Sequence, residues 1–306
     1  MNKKTGKIKP TIEEVKKLSV AFTGRALFDL GSADLIYQEK GLPAYLDEMK
    51  RNRKKTLKPG PAFHLIQALA NLKDPKTGEN LVYLTMISQN HAEAGIRLLY
   101  SIKNHKLRID RTAFTGGAEQ VPYLKGLGAD LFLSFSTNDV QQAVKAGIPA
   151  AHLVAAFQPN KETKQVRIAF DGDAVIFGDV ADKLYKKKGL SEFLRSEQAK
   201  AHIPLPEGPF KHLLARINKI QAAFPTGKSP IRTALVTARG SSVLLRPLLT
   251  LEHWGLKIDE AVGLDGTNKA HALQAFAPHI FFDDHPKNIT HASLVTVAGC
   301  VPSQSR

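Results

Sequence analysis

The stretch Ile168-Ala169-Phe170-Asp171-Gly172-Asp173-Ala174-Val175 decides the fold. Gln165 to Phe170 is a short, mostly apolar run that breaks into two carboxylates around a glycine, the signature of a buried strand ending in a tight turn. Thr233 to Val236, Ala277 to Phe282 and Ser293 to Val297 read the same way. Phe210 to Ala223 and Val243 to His253 carry apolar residues three and four apart, as helices do. Strands alternating with helices predict an α/β protein with a parallel, doubly wound sheet. Ligands of such sheets bind beyond the carboxyl ends of the strands, so the polar residues at those ends matter most.

The deciding stretch has a counterpart earlier in the chain. Val20-Ala21-Phe22-Thr23-Gly24-Arg25-Ala26 lies 148 residues before Ile168-Ala169-Phe170-Asp171-Gly172-Asp173-Ala174. At the same offset Tyr37 to Leu42 matches Tyr185 to Leu190, and Gly60-Pro61 matches Gly208-Pro209. At an offset of 149, Leu107 to Asp110 matches Leu256 to Asp259, and Asp130 to Ser134 matches His279 to Asp283. This near-gapless register predicts one fold duplicated in tandem, as residues 1–157 and 158–306. The polar stretch Gln158 to Thr163 joins them, within Ala156–Lys164.

The strand ends of the second half are chemically coherent. One carries Asp171 and Asp173, the next Thr237 and Arg239, and a third Asp283-Asp284, with Lys269 at the expected start of a helix. Singly, each has a plain explanation: a turn or capping pair, a hydroxyl bonded to its own backbone, a solvated lysine. Together, crowded carboxylates call for a hard cation with oxygen ligands, such as Mg²⁺. That cation and Lys269 would neutralise a transferring phosphoryl group. One carboxylate can attack phosphorus, and a second can exchange protons with the leaving oxygen and with water. His253, His279 and His285 lack metal-ligand spacing and read as structural or surface residues.

Ile168 to Val175, with Thr237, Lys269 and Asp283-Asp284 in that order, resembles the signatures of the haloacid dehalogenase superfamily. More narrowly, Phe170-Asp171-Gly172-Asp173-Ala174-Val175-Ile176-Phe177 is similar to the nucleophile motif of the cytosolic 5′-nucleotidase I family. So are Leu235 to Arg239, His279 to Asp284, Ser88 to Gly95 and Phe114 to Gly117. The resemblance implies two haloacid-dehalogenase-like, Rossmann-like units with small helical cap insertions at 178–230 and 30–82. It implies a Mg²⁺-dependent hydrolase of nucleoside 5′-monophosphates, AMP prominently. Asp171 would be the nucleophile, Asp173 the general acid and base, Thr237 a phosphoryl holder and Lys269 a charge balance. Asp171, the carbonyl of Asp173, Asp283 and Asp284 would attend the metal, and Arg239 the substrate. Gly178 stands where the family often has serine, and only Asp179 and Asp182 follow it, which touches the cap rather than the chemistry.

The first half has Thr23 and Arg25 for Asp171 and Asp173, and Ser134-Phe135 for Asp283-Asp284, so catalysis is expected only in the second. Arg25, Ser88, Asn90, Gly116 and Gly117 suggest an anion site instead, either completing the substrate pocket or holding a regulatory nucleotide. The alternative is a half that only buttresses its partner.

Composition bounds the rest. The chain has 306 residues and a net charge of +15, which suits anionic partners. The dense cluster Arg51 to Lys58 lacks interleaved aromatics and reads as a solvated helix end, so a nucleic-acid-binding protein is the weaker reading. A phosphatase of similar mechanism acting on another phosphomonoester, such as a sugar phosphate, is the nearer rival. A single cysteine, Cys300, suits a reducing compartment, and without an apolar run of membrane length a cytoplasmic protein is expected.

Overall fold

The computed structural model describes residues 17–154 and 165–302; the expected junction at Ala156–Lys164 lies outside them. The first half runs β1 (Leu18–Phe22), α1 (Gly24–Leu27), β2 (Phe28–Asp29), α2 (Gly31–Arg51), β3 (Lys58–Pro59) and α3 (Phe63–Ala70). It continues through β4 (Val82–Ser88), α4 (Ala92–Asn104), β5 (Arg111–Phe114), α5 (Val121–Gly126), β6 (Leu131–Ser134), α6 (Thr137–Lys145) and β7 (Ala150–Val154). The second half opens with β8 (Val166–Phe170) and a wide helical turn, Gly172–Ile176. Then come α7 (Val180–Ala199), α8 (Lys211–Ala222), β9 (Ile231–Thr237), α9 (Ser241–His253) and β10 (Glu260–Gly263). The chain closes with α10 (Ala270–Phe276), β11 (Ile280–Asp283), α11 (Pro286–Ala292) and β12 (Ala298–Cys300).

Ten of these strands form one sheet in the order β10-β9-β8-β11-β12-β7-β6-β1-β4-β5, while β2 and β3 make a small separate pair. Within each half all neighbours are parallel. The join is not: β12 runs antiparallel to β7, pairing Ala298 with Val154 and Cys300 with His152. The sheet is therefore mostly parallel, with one reversal at its centre. Because strand direction flips there, the carboxyl ends of the two halves open at opposite edges of the sheet. A substrate pocket completed across the halves, one of the two roles expected for the first half, is excluded by this geometry.

Alternation along the strands builds the core. Leu18, Val20 and Phe22 share one buried cluster with Ile168 and Phe170, whereas Ala21 and Ala169 face separate clusters on the other side. The shared face is filled by aromatic rings, Phe282 lying 5.7 Å from Phe170 and 4.8 Å from Phe210 between centroids. Helix α8 buries Leu213, Leu214, Ile217 and Ile220 against this face, so within 178–230 only α7 stands off the sheet. Helix α3 does the same for 30–82, and α2 adds Ala33, Tyr45 and Met49 to the same cluster. Arg216 on α8 crosses to the first half, donating to the Lys17 carbonyl at 3.1 Å and pairing with Asp130 at 3.3 Å.

The last expected strand shifts. Ser293 caps α11, the Thr296 hydroxyl donates to the Pro278 carbonyl at 2.8 Å, and pairing begins only at Ala298. His279 is buried, its Nδ1 accepting the Arg167 N–H at 3.1 Å, which is a structural role.

The repeated Gly-Pro has one architectural task in both halves. Gly60 N–H donates to the Leu27 carbonyl at 2.8 Å, and Gly208 N–H donates to that of Ile176 at 2.9 Å. Each segment clasps the turn that follows the first strand of its half. A Cβ on Gly208 would sit 2.3 Å from the Phe177 carbonyl oxygen and 2.4 Å from that of Val175, backbone atoms that cannot swing aside. Gly208→Ala is therefore expected to lower stability by about 1–3 kcal/mol. Urea unfolding should show a lower midpoint at unchanged slope; an unaltered midpoint would refute the clasp.

Candidate active site

Parallel strands deliver their terminal residues to one edge, and in the second half the delivered residues are ionic. Asp171 follows β8 and Asp283 ends β11, adjacent strands paired through Phe282 and Phe170. Asp171 N–H donates to the Phe282 carbonyl at 2.7 Å, which fixes the entry to the turn. Lys269 sits at the N-cap of α10, 3% exposed, and its Nζ donates to Asp171 Oδ1 at 2.7 Å and to Asp283 Oδ2 at 2.6 Å. Asp283 also accepts the His285 N–H at 2.8 Å and is held by Asn288 Nδ2 at 3.2 and 3.1 Å.

One ammonium thus serves two carboxylates, with Asp284 close by. Burial pushes Asp171 up to about 8, opposed by Lys269 and reinforced by Asp283 and Asp173. Burial, with Asp283 and Asp182, pushes Asp284 up to about 7. For Lys269 burial works against the charge, but Asp171 and Asp283 outweigh it and raise its pKa. The site carries more negative charge than its own cation can offset. Asp171, Asp283 and Asp284 bring one carboxylate oxygen each within 4.8 Å of one another. An all-oxygen set with surplus negative charge fits a hard divalent cation such as Mg²⁺.

The expected partners divide into two groups. Thr237 ends β9, fully buried, its hydroxyl accepting the Arg239 N–H at 3.3 Å. Asp173 and Arg239 face each other: Nε and Nη2 donate to the two oxygens of Asp173, both at 2.8 Å. The Arg239 guanidinium is committed to carboxylates rather than open to a substrate, because Nη1 donates to Glu197. Glu197 lies on α7, 2% exposed, and accepts Arg246 Nη1 of α9 at 2.5 Å through its other oxygen. Burial opposes the Arg239 charge, yet Asp173 and Glu197 outweigh it and hold its pKa above the ordinary value. The chain Asp173–Arg239–Glu197–Arg246 ties α7 to the turn. Neither Glu197 nor Arg246 was singled out in the sequence, where both read as polar helix residues.

The turn itself is strained. Ala174 has φ of 59°, a left-handed conformation that costs a residue with a Cβ about 1–2 kcal/mol. Its counterpart Ala26 lies inside the regular helix α1. Strain is kept in the half that keeps the carboxylates, as at many functional sites.

The first-half residues also come together, at the other edge. Arg25, Ser88, Asn90, Gly116 and Gly117 line one cavity of about 500 Å³. They cannot attend a substrate bound at Asp171. Gly116 and Gly117 donate their N–H groups to the carbonyls of Asn90 and Gln89, at 3.1 and 2.7 Å. Arg25 pairs with Asp34 at 2.9 Å.

The family model described as 5′-nucleotidase matches residues 10–306. The chain belongs to the 5′-nucleotidase family. That description names a phosphoric monoester hydrolase. The chain is also 37% identical over 289 residues to the human protein cytosolic 5′-nucleotidase 1B, a stretch covering 90% of this chain. It spans about half of that relative, 47% of its length. No solved structure matches the chain. Among the described residues no helix is long and apolar enough to cross a membrane.

Removing Glu197 would leave two buried guanidinium groups without their shared acceptor. Glu197→Met, which installs the residue found at the matching position 49, is expected to cost about 3–5 kcal/mol. Chemical denaturation measures it, and a loss under about 1 kcal/mol would demote the network to surface-like pairing.

Proposed function

We propose that the chain hydrolyses nucleoside 5′-monophosphates, AMP among them, to nucleoside and phosphate, using Mg²⁺ and an aspartyl-phosphate on Asp171. The observation that carries this reading is the buried Asp171–Lys269–Asp283 cluster at the carboxyl edge of the second half. The family description and the relative's name supply the substrate class. The relative's name also supports a cytosolic location.

Asp171, Asp283 and Asp284 would hold the cation, whose bound charge would offset that of the phosphoryl oxygens. Lys269 orients Asp171 through Oδ1 and adds its own charge next to the incoming phosphate. A carboxylate oxygen of Asp171 attacks phosphorus as the ester P–O bond breaks, and the leaving oxygen takes a proton from Asp173. Asp173 then removes a proton from water, whose oxygen attacks the same phosphorus and frees Asp171 and phosphate. Such proton exchange requires Asp173 to leave the Arg239 clasp. Arg239 is the fixed member, anchored by Glu197, while the Asp173 side chain is one-fifth exposed and can move. Thr237, at the neighbouring strand end, offers its hydroxyl to a phosphoryl oxygen. Helix α7, standing off the sheet beside this edge, serves as the cap that excludes water.

We also infer that the two halves are one fold copied in tandem, with catalysis kept in 158–306. The matching strand orders support it: β5-β4-β1-β6-β7 on one side of the join and β10-β9-β8-β11-β12 on the other.

Phosphate release from a panel of nucleoside monophosphates and sugar phosphates, with and without Mg²⁺, tests the reading. Release from AMP that needs Mg²⁺ is expected, and preference for sugar phosphates would favour the other phosphatase reading. Asp171→Asn should abolish turnover, whereas Asp173→Asn should lower it about 10²–10⁴-fold. Retained turnover in Asp171→Asn would remove it from the nucleophile's role.

Mg²⁺ alone should raise the melting temperature at pH 7 by relieving the carboxylate surplus. Asp283→Asn should lose most of that increase, and an equal rise in the variant would place the ion elsewhere.

A further inference from the structure

The edge opposite the carboxylates carries a second built site. Four polar residues take up there the positions of the ionic ones. Thr23 follows β1 as Asp171 follows β8, and Ser88 ends β4 as Thr237 ends β9. Gln120 is the N-cap of α5 as Lys269 is of α10, and Ser134 ends β6 as Asp283 ends β11. At these four positions each charged residue has become a neutral hydroxyl or amide, while Arg25 and Phe135 stand for Asp173 and Asp284, and all four neutral residues line the cavity of about 500 Å³. That volume suits a small molecule.

Two of its buried polar atoms have no partner among the described residues. Thr23 Oγ1 and Gln120 Oε1 are buried without a hydrogen bond, on residues 8% and 4% exposed. An unmet buried polar group costs about 1–3 kcal/mol, a cost that a ligand removes. The chemistry of that ligand follows from what surrounds it. The N–H groups of Gly116 and Gly117 are occupied and Arg25 is paired with Asp34, which leaves His91 as the other basic residue on the described lining. The Asp139 carboxylate, held by Gln89 at 3.3 Å, also lines the cavity and would repel an anion. Gln120 Oε1 and Asp139 are acceptors, and a fully ionised phosphate has no hydrogen to give them. Sugar hydroxyls and base amino groups do, and Tyr45 and Phe135 supply apolar ring surface on the same cavity wall.

We propose that this edge binds an uncharged nucleoside, the chemical class released by the hydrolysis proposed above, on which the choice of ligand rests. The protein would thus hold its product class on the side of the sheet away from the site that makes it.

Calorimetric titration of the full chain with adenosine, uridine, AMP and inorganic phosphate tests this. Adenosine or uridine should bind the wild type and Asp171→Asn alike, and phosphate should not compete. Thr23→Val, which keeps side-chain shape, and Gln120→Leu should each weaken nucleoside binding at least about tenfold, that is about 1.4 kcal/mol. Both should leave phosphate release unchanged. Absence of nucleoside binding, or binding lost in Lys269→Met and kept in Thr23→Val, would overturn the proposal. Tighter binding of AMP or phosphate that depends on Thr23 would overturn it in favour of an anion site. Nucleoside binding that persists while no monophosphate is hydrolysed would refute only the catalytic reading.

Discussion

The antiparallel pairing of β7 with β12 is the constraint on which everything else turns. Two all-parallel half-sheets could have been joined in parallel, bringing both sets of strand ends to one edge. The reversal forbids that. Each half keeps its own edge, and residues that look complementary in sequence, such as Arg25 and Asp171, never share a ligand. Joining the halves through the middle of one sheet also removes an edge strand from each, which avoids two exposed rows of unpaired backbone groups.

At one edge the physics is dominated by charge in a dry place. Lys269 is buried between Asp171 and Asp283, and a buried ammonium is tolerable only because both carboxylates are within hydrogen-bond reach. The left-handed Ala174 and the Gly208 clasp hold the turn in one shape while this cluster assembles. At the other edge the same framework carries Thr23, Gln120 and Ser134, which need no counter-ion. Glu197 and Met49 show the same contrast one layer out: Glu197 binds two arginines, whereas Met49 offers Arg97 only its sulfur at 3.7 Å.

Much of this was legible in the sequence, because it is local. An apolar run that stops at Asp171, Thr237 or Asp283 marks a strand end without any tertiary information, and the Gly-Pro repeat marks the clasp in both halves. The direction of β12 was not legible, since three residues, Ala298 to Cys300, carry no pattern that encodes the partner of Ala298, 144 residues away at Val154, or its orientation. The Ser293 to Val297 run misled because Val297 is buried for packing and joins the sheet only through its carbonyl, which accepts the Phe281 N–H at 2.9 Å. Glu197 and Arg246 were hidden for another reason. Their burial depends on α7 folding down onto α9, and a charged residue on a helix looks solvated until its partner's position is known. The first-half donors failed in the same way, as the N–H groups of Gly116 and Gly117 were already taken by a neighbouring loop.

One face of the sheet carries a single apolar cluster that runs from Leu18 to Val301 without regard to the join. Phe22 and Phe28 from one half and Phe170, Phe210 and Phe282 from the other belong to the same interior. The first half therefore cannot be removed without opening the core of the second, because it forms a wall of that core. The shared interior constrains the first half's apolar strand residues but not the polar ones at its edge, so the rim of that half is open to chemistry that the core does not dictate.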